Sequence, residues 1–442
     1  MVMNGLPGIV ASYLRTKYGT RFSSRDALLR WQDAQVRRFV TDVTRRSRFY
    51  ARHLRGYTAA EWRSFPVIDK QIMMDNFDDL NTVGVTRAQA FEVALAAERS
   101  RDFSPTIGEV AVGLSSGTSG NRGLFLVTPR ERALWAGAVL ARLLPPLRSA
   151  QRIAFFLRAN NNLYTSVRSR LIGFEYFDLL DPMERHVARL DELAPTIVVA
   201  PPSMLRLLAQ ARADGALRAR PDKIVSVAEV LDPVDEKFIS AQFGQIVHQV
   251  YQCTEGFLAC TCAHGTLHLN EDFVAVQKEY LDRDLGKFVP IITDFRRAAQ
   301  PIIRYRLNDI LTERGEPCPC GSPFTALASV EGRCDDLFYF PAAGRDGWIH
   351  VFPDFIRRAV LETSEDVAEY LVRQVAADRL ELTLQVAEGL RPDVEQRVAV
   401  ALRQLVERQG GRAPDIAPVP APARSRDKKL KRVERVFAAP VR

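Results

Sequence analysis

Val110-Ala-Val-Gly-Leu-Ser-Ser-Gly-Thr-Ser-Gly-Asn-Arg-Gly-Leu-Phe-Leu-Val-Thr128 is the stretch from which the rest of the chain can be read. Residues 110–114 and 124–128 are apolar, extended runs and are expected to be strands. Between them, Ser115, Ser116, Gly117, Thr118, Ser119 and Gly120 lead into Asn121-Arg122-Gly123. Small side chains leave the backbone N–H groups accessible, and with the hydroxyls they can surround phosphate oxygens. A lysine P-loop is excluded, because no Gly-Lys-Ser/Thr follows. The same residues also suit an ordinary surface turn, so the loop takes its meaning from what lies downstream.

At 442 residues the chain has material for two or three domains. With 47% hydrophobic and 26% charged residues it has the composition of a globular protein. No apolar run approaches the roughly 20 residues that span a bilayer. The apolar N-terminal run lacks a basic leader and a cleavage site, and is expected to form a helix packed on the body. Cytoplasmic residence is the default expectation. The net charge of +8 is spread thinly as arginine, with one dense cluster over 424–435. No helix-turn-helix, RNA-binding or zinc-finger pattern surrounds that cluster, so a small anionic substrate is expected and nucleic acid is not.

Residues 20–100 are expected to be helices broken by short turns. Over 25–48, Leu28, Leu29, Trp31, Val36, Phe39 and Val43 supply an apolar face at helical spacing. From about residue 110, strands alternate with helices. The runs 153–157, 174–178, 196–200 and 223–228 are apolar enough for strands buried on both faces. Ser203 is a candidate N-cap after Pro201-Pro202, and Asp232-Pro233 opens another helix. This alternation implies an α/β fold with a mostly parallel sheet flanked by helices. In such sheets ligands bind beyond the carboxyl ends of the strands. Those ends carry Ala228-Glu229-Val230 and Tyr251-Gln-Cys-Thr254-Glu255-Gly256. A carboxylate at Glu255 can hold a metal ion and Thr254 can donate to phosphate. Asp309, after the 302–306 run, suits a ribose diol, because a carboxylate accepts from both hydroxyls. Arg333 stands beside paired acids in Glu331-Gly-Arg-Cys-Asp-Asp336.

The six cysteines are Cys253, Cys260, Cys262, Cys318, Cys320 and Cys334. A disulfide framework is not expected in the cytoplasm. Cys262, His268, Cys318 and Cys320, with Cys260 as the alternate, form a donor set suited to a closed, structural zinc site. Buried thiols beside a chance histidine would give the same sequence. Beyond residue 335, a helix over 355–361, strands over 370–375 and 380–386, and a helix over 394–409 make a small α+β domain. A Pro-rich extended run, 412–423, leads from it into a lysine-rich segment.

In this order, Ser115–Gly123, Ala228-Glu229, Tyr251–Glu255, Asp309, Gly332–Asp336 and a late lysine resemble the motifs of the acyl-adenylate-forming superfamily. The branch they resemble most is that of phenylacetate–CoA ligase and coenzyme F390 synthetase. Arg48-Phe-Tyr, Pro66-Val-Ile-Asp-Lys70, His268-Leu-Asn-Glu-Asp272 and Cys318-Pro-Cys-Gly321 add to the likeness. Phe156–Tyr164 and Ala200-Pro-Pro-Ser203 resemble a subgroup of adenylate-forming enzymes related to F390 synthetase. The resemblance covers nearly the whole chain. It implies a large N-terminal domain (1–334, with a helical cap over about 1–105) and a small mobile C-terminal domain (335–442) pivoting near Asp335.

The resemblance also implies ATP-dependent attack of a carboxylate on the α-phosphate, giving acyl-AMP and pyrophosphate. Transfer to the thiol of CoA or of an acyl carrier protein would follow. A nitrogen acceptor, or a non-catalytic nucleotide-binding relative, is the alternative. By the same resemblance, Ser115, Ser116, Gly117, Thr118, Ser119 and Gly120 hold the β- and γ-phosphates. Thr254 contacts the α-phosphate and Glu255 holds Mg²⁺. Ala228, Glu229, Val230 and Tyr251 line the adenine, Asp309 binds the ribose, and Arg333 lies close to it. Lys429, within Lys428-Lys-Leu-Lys-Arg-Val433, matches the catalytic lysine of the family's Gly-Lys-x-Lys-Arg-Val; Lys428 stands in place of the glycine, which leaves Lys428 and Lys431 as alternatives. Phe156, Arg158, Asn160, Asn161, Asn162 and Tyr164 fall where the acyl pocket begins, and suggest an aromatic acid such as a hydroxybenzoate. Relatives in this branch carry a zinc in a set like the one above. Two departures stand out. Asn121-Arg122-Gly123 replaces the usual Lys-Pro-Thr type of ending, and 337–353 is longer and more aromatic than the short Gly-Val-Asn-Val-Phe-Pro passage of relatives.

Overall fold

A computed structural model describes residues 5–19, 21–100, 102, 104–114, 123–144, 150–157, 172–364, 366–420, 431–438 and 440. The Ser115–Gly120 run, Arg158, Asn160, Asn161, Asn162, Tyr164 and Lys429 therefore lie outside the described residues. Two compact units are present. The first comprises Met1–Ala228, Ile239–Leu307 and Leu311–Ser329, and the second comprises Glu229–Phe238, Asn308–Ile310 and Val330–Arg442.

Strands β1 (Thr106–Ile107), β2 (Val110–Leu114) and β3 (Leu124–Val127) form a small antiparallel sheet in that order. The main sheet begins with β4 (Gln151–Leu157), β5 (Ile172–Asp178), β6 (Ile197–Ala200), β7 (Lys223–Ser226) and β8 (Val247–Cys253). These pair in parallel in the order β5-β4-β6-β7-β8. The sheet continues through β9 (Gly256–Thr261), β10 (Leu267–Leu269), β11 (Val274–Asp282), β12 (Lys287–Asp294), β13 (Ile302–Arg306), β14 (Asp309–Glu313) and β15 (Ala326–Arg333). Past β8, the pairs β8–β9, β9–β10, β10–β15, β11–β12, β12–β13 and β12–β14 are antiparallel, so the sheet is mixed. Short hairpins connect antiparallel neighbours, whereas parallel ones need helical crossovers. The helix–strand alternation stops at β8 for that reason.

The expected elements form where sequence periodicity was strong. The helix Arg25–Arg46 is capped by the Ser24 hydroxyl and buries Leu28, Gln32, Val36, Val40 and Val43. Its seam thus follows i+4 steps through a polar residue, while Leu29, Trp31 and Phe39 are only half-buried. Gln32 is accommodated because its side-chain amide donates to the Glu271 and Val274 carbonyls. The helices of the first hundred residues share one core with the sheet: Val36, Tyr50, Trp62, Phe77 and Leu80 lie in a cluster with Leu124, Leu126, Ile292, Ile303 and Tyr305. Ser203 is not the N-cap. The helix Pro202–Ala213 starts two residues earlier, with Pro201 at the cap position, because a proline in the first turn has its φ preset and needs no hydrogen-bond acceptor.

The N-terminal helix Leu6–Leu14 packs on the helix Pro129–Leu143, and the Ser12 hydroxyl donates to the Leu134 carbonyl at 2.7 Å. Gly137 makes that approach feasible, since a Cβ there would lie 2.4 Å from the Ile9 carbonyl oxygen.

In the second unit, β16 (Phe338–Pro341) and β17 (Trp348–Val351) pair as a hairpin. The strands β18 (Glu369–Ala376), β19 (Arg379–Gln385), β20 (Asp415–Pro418) and β21 (Val433–Arg435) form a sheet in the order β20-β19-β18-β21. Helices Pro353–Leu361 and Arg391–Arg408 supply Ile356, Val360, Val394, Val398 and Leu402 to a core shared with Val372, Leu380 and Leu382.

Candidate active site

The tip joining β8 to β9 is the best-defined part of the site. Cys253 and Gly256 are cross-strand partners, so Thr254 and Glu255 form a two-residue loop at the carboxyl end of the last parallel strand. The Glu255 carboxylate is held at both oxygens: the Thr254 hydroxyl donates to Oε2 at 2.9 Å and the Tyr305 hydroxyl to Oε1 at 3.0 Å. Burial, and then the charge of Glu255, raise the Tyr305 phenol well above its ordinary range, so it stays protonated and able to donate. The Arg297 guanidinium donates to the Thr254 carbonyl.

Beneath the tip the Asp294 side chain lies close against the hairpin. A Cβ on Gly256 would lie 3.1 Å from Asp294 Oδ2. Burial raises the Asp294 carboxyl to about 6, against the opposing pull of Arg297 and Arg296. Tyr251 is half-buried on the same hairpin.

Tyr305 is held from behind by the early Pro66–Lys70 segment. The Ile68 amide donates to the Arg304 carbonyl at 3.1 Å, and the Arg306 amide returns a bond to the Ile68 carbonyl at 2.8 Å. Arg304 takes a left-handed φ of 47° and its guanidinium reaches the Phe65 carbonyl. A left-handed non-glycine residue costs conformational energy and persists where surrounding bonds fix it.

Ala228 has a φ of 67° and is exposed, directly after β7. It shares that uncommon conformation, at the position expected to line adenine. Glu229 and Val230 follow it into the second unit. There, Asp309 opens β14 and Arg333 ends β15, the neighbouring strand. The connection is tightened by Asn308, whose side chain donates to Asp335 at 2.6 Å and whose carbonyl accepts from the Cys334 amide at 2.9 Å.

The described end of the lysine segment is firmly anchored within the same unit. Lys431 pairs with Asp336 at 3.0 Å. The buried Arg432 meets both oxygens of the fully buried Asp235, and Glu369 at 3.1 Å. Asp232, one turn before Asp235, accepts from the Tyr370 hydroxyl at 2.7 Å.

Phe156 is placed differently from expectation. It is fully buried, stacked on Phe177 at 4.6 Å and edge-on to His186 at 5.1 Å. Both faces of the ring are therefore committed to packing, as expected for the inward-facing position of a strand buried on both sides.

Cys262, His268, Cys318 and Cys320 come together, with their ligand atoms all within 4.8 Å of one another. The sulfurs of Cys262 and Cys318 are 3.7 Å apart, and Cys320 Sγ is 3.4 Å from His268 Nε2. His268 Nδ1 lies 3.3 Å from the Phe324 carbonyl. Donation to that carbonyl fixes the tautomer that leaves the Nε2 lone pair facing the thiols. Cys260 is not in the cluster, and its thiol instead donates to Asn270 at 3.4 Å. For Cys318, burial is outweighed by hydrogen bonds from Thr266, the Cys320 amide and His268, which bring its thiol down to about 5. Burial and the neighbouring sulfurs push Cys320 up to about 11.

The residues missed from the sequence are those behind the tip. Tyr305, Arg297 and Gln300 all lie in the 295–309 run, of which only Asp309 stood out. No regular alternation marked Tyr305, because β13 is bulged between Ile302 and Tyr305 and Arg304 takes a left-handed φ. The His268–Asp272 segment acts as a structural bracket: Glu271 pairs with Arg25 and accepts from the Thr325 amide, while Asp272 takes both oxygens to Arg142 at 2.7 Å.

No protein-family model matches the chain. In sequence it is similar to phenylacetate–coenzyme A ligase of Thermus thermophilus, 25% identical over 130 residues that make up 27% of this chain and 28% of that protein. The chain thus spans well under a third of that relative's length. In structure it is similar to a 2-hydroxyisobutyryl-CoA ligase in the postadenylation state in complex with 2-HIB-AMP, with a TM-score of 0.68 and 17% identity over 94% of this chain and 89% of that one. An acyl acid amido synthetase superposes with a TM-score of 0.57 and 12% identity, over 92% of this chain and 91% of the other. At such identities the structural likeness concerns the fold. The chain has the fold of the adenylate-forming ligases, and just over a quarter of its sequence is similar to a phenylacetate–coenzyme A ligase.

Proposed function

We propose that the chain is an AMP-forming acid ligase that adenylates a carboxylic acid and passes the acyl group on. The observation that carries this is the Thr254–Glu255 tip, where a hydroxyl and a carboxylate are presented with both carboxylate oxygens fixed. In the proposed reaction the carboxylate oxygen of the acid attacks the α-phosphorus of ATP and pyrophosphate leaves with the bond electrons. The Thr254 hydroxyl, turned from Glu255, donates to the α-phosphate, and the Ser115–Gly120 run donates to the β- and γ-phosphates. Mg²⁺, held by Glu255, would neutralise the charge that builds on the triphosphate. Asp309 accepts from the ribose hydroxyls, Arg333 lies near them, and Ala228, Glu229, Val230 and Tyr251 line the base. Lys429, on a small domain running from about 335 to 442, supplies a point charge between carboxylate and α-phosphate. This is catalysis by positioning and electrostatics.

The acid is proposed to be aromatic, with Arg158, Asn160, Asn162 and Tyr164 in its pocket and Phe156 supporting them by packing. The acceptor is proposed to be the thiol of CoA or of a carrier protein, in keeping with the acid–CoA ligases the chain resembles. A nitrogen acceptor is the second reading. It is favoured by the likeness to an amido synthetase and by the hairpin of β16 and β17 in place of a short passage. Carboxylate-dependent pyrophosphate release over a panel of aromatic and aliphatic acids, with and without CoA, tests both readings. Release for one acid class is expected, with AMP release stimulated by CoA. Silence across the panel from folded, ATP-binding protein would point to a non-catalytic relative.

Two further outcomes are expected. Tyr305→Phe removes one of the two donors that orient Glu255, and loss of such an orienting bond weakens metal binding about 10-fold or more. The Mg²⁺ concentration giving half-maximal pyrophosphate release should rise accordingly, with little change in the KM for the acid. An unchanged Mg²⁺ requirement would contradict the role given to Glu255. The Cys262–His268–Cys318–Cys320 set fits a tetrahedral zinc, with three sulfurs and an imidazole nitrogen within reach of one centre. Purified protein is expected to contain about one zinc per chain, and Cys320→Ser to lose most of it on dialysis. Metal analysis showing no zinc in the wild-type chain would refute the assignment.

A further inference from the structure

The loop between β12 and β13, residues 295–301, carries more buried polar contacts than a turn between antiparallel strands requires. Its Ala298 and Ala299 amides both donate to Glu131 Oε1, at 2.6 and 2.8 Å. The other oxygen of Glu131 closes a capping box with Thr128, directly after β3. Gln300 is 1% exposed. Its Oε1 accepts from the Leu126 amide at 3.0 Å, and its Nε2 donates to the Leu124 carbonyl at 3.1 Å. That carboxamide thus serves β3 as an adjacent strand would, along the edge β2 does not occupy. Arg297 then joins the two halves, reaching Gln300 Oε1 at 3.4 Å and the Thr254 carbonyl with its other nitrogen.

Leu124 is the first residue of the strand that leaves the Ser115–Gly123 run, and Thr254 is the first residue of the β8–β9 tip. We infer that Gln300 and Arg297 are positioning residues that fix these two elements relative to each other, and so set the spacing at which the site accepts a triphosphate. The inference rests on the adenylation reading, which gives the first element the β- and γ-phosphates and the second the α-phosphate. Neither residue touches the nucleotide. They act through the backbone at Leu124, Leu126 and Thr254. Registration of this kind matters because sub-ångström errors in placing reacting groups cost orders of magnitude.

A chain-shortened ligand provides the test. AMP needs the tip but not the Ser/Gly run, whereas ATP needs both in register. Dissociation constants for AMP and for Mg²⁺·ATP are measured by calorimetry on the intact wild-type protein, on Gln300→Met and on Arg297→Lys. The first variant removes both strand-like bonds at similar volume, and the second keeps the charge but loses the two-pronged donation. Each is expected to weaken ATP about 10-fold while AMP changes less than about 2-fold. Equal weakening of both nucleotides, or no change in either, would reduce the two residues to ordinary core bonds and overturn the inference. If Gln300→Met does not fold, the more exposed Arg297→Lys carries the comparison alone. A wild-type chain that binds neither nucleotide would overturn the adenylation reading itself, a result distinct from equal weakening in the variants.

Discussion

Lys429→Ala is expected to lower carboxylate-dependent pyrophosphate release about 10²–10³-fold, the usual cost of removing one preorganised charge donor. ATP affinity should change little, because the proposed lysine acts on charge that develops between carboxylate and α-phosphate. Neighbouring cations are poor substitutes. Lys431 is committed to Asp336 at 3.0 Å, and Arg432 is buried against Asp235 and Glu369. Lys428 is the remaining candidate in the segment, so Lys428→Ala is the natural control and should retain most of the activity. Full activity in Lys429→Ala, with loss in Lys428→Ala, would move the catalytic role by one residue without disturbing the rest of the account.

The largest effect on stability is expected from Arg432→Leu. Arg432 is 5% exposed and Asp235 is fully buried, so the substitution takes away the guanidinium that meets both oxygens of a buried carboxylate. One-sided removal of a buried ion pair costs about 3–5 kcal/mol. The native Arg432 guanidinium is raised further above its ordinary range by Asp235, which outweighs the burial that opposes it. Denaturant unfolding should show the loss, and Arg432→Leu combined with Asp235→Leu should recover part of it, because the fully buried carboxylate is then removed together with its guanidinium partner. Activity should fall beyond what partial unfolding explains, since β21 begins at Val433 and Arg432 anchors the chain three residues after Lys429. A double variant as unstable as the single one would show that Arg432 stabilises the unit by packing rather than by charge.

The parallel half of the main sheet was legible because its strands carry apolar runs, and β5, β6 and β7 are each followed by a helix with a proline at its start. The antiparallel half was less so. Its strands β9 and β12 are as apolar as the parallel ones, being buried along their whole length, so composition alone gave no direction of pairing. Local motifs pointed to the Thr254–Glu255 turn, and the cysteine pairs with His268 pointed to the cluster that Cys262, His268, Cys318 and Cys320 form. The groups that orient them were not legible. Tyr305 and Gln300 read as unremarkable strand and loop residues, and their partners Glu255, Leu124 and Leu126 are 50 or more residues away in sequence. Phe156 misled for a related reason: its polar neighbours in sequence suggested a pocket, whereas strand alternation turns its ring into the core.

The central claim is formation of an acyl-adenylate, and acid-dependent exchange of labelled pyrophosphate into ATP measures it most directly. Exchange is predicted to require Mg²⁺ and a carboxylic acid, to proceed without any thiol or amine acceptor, and to be greatest with one class of aromatic acid. Exchange that proceeds equally without an acid would contradict the account, as would its absence with every acid in folded protein that binds ATP.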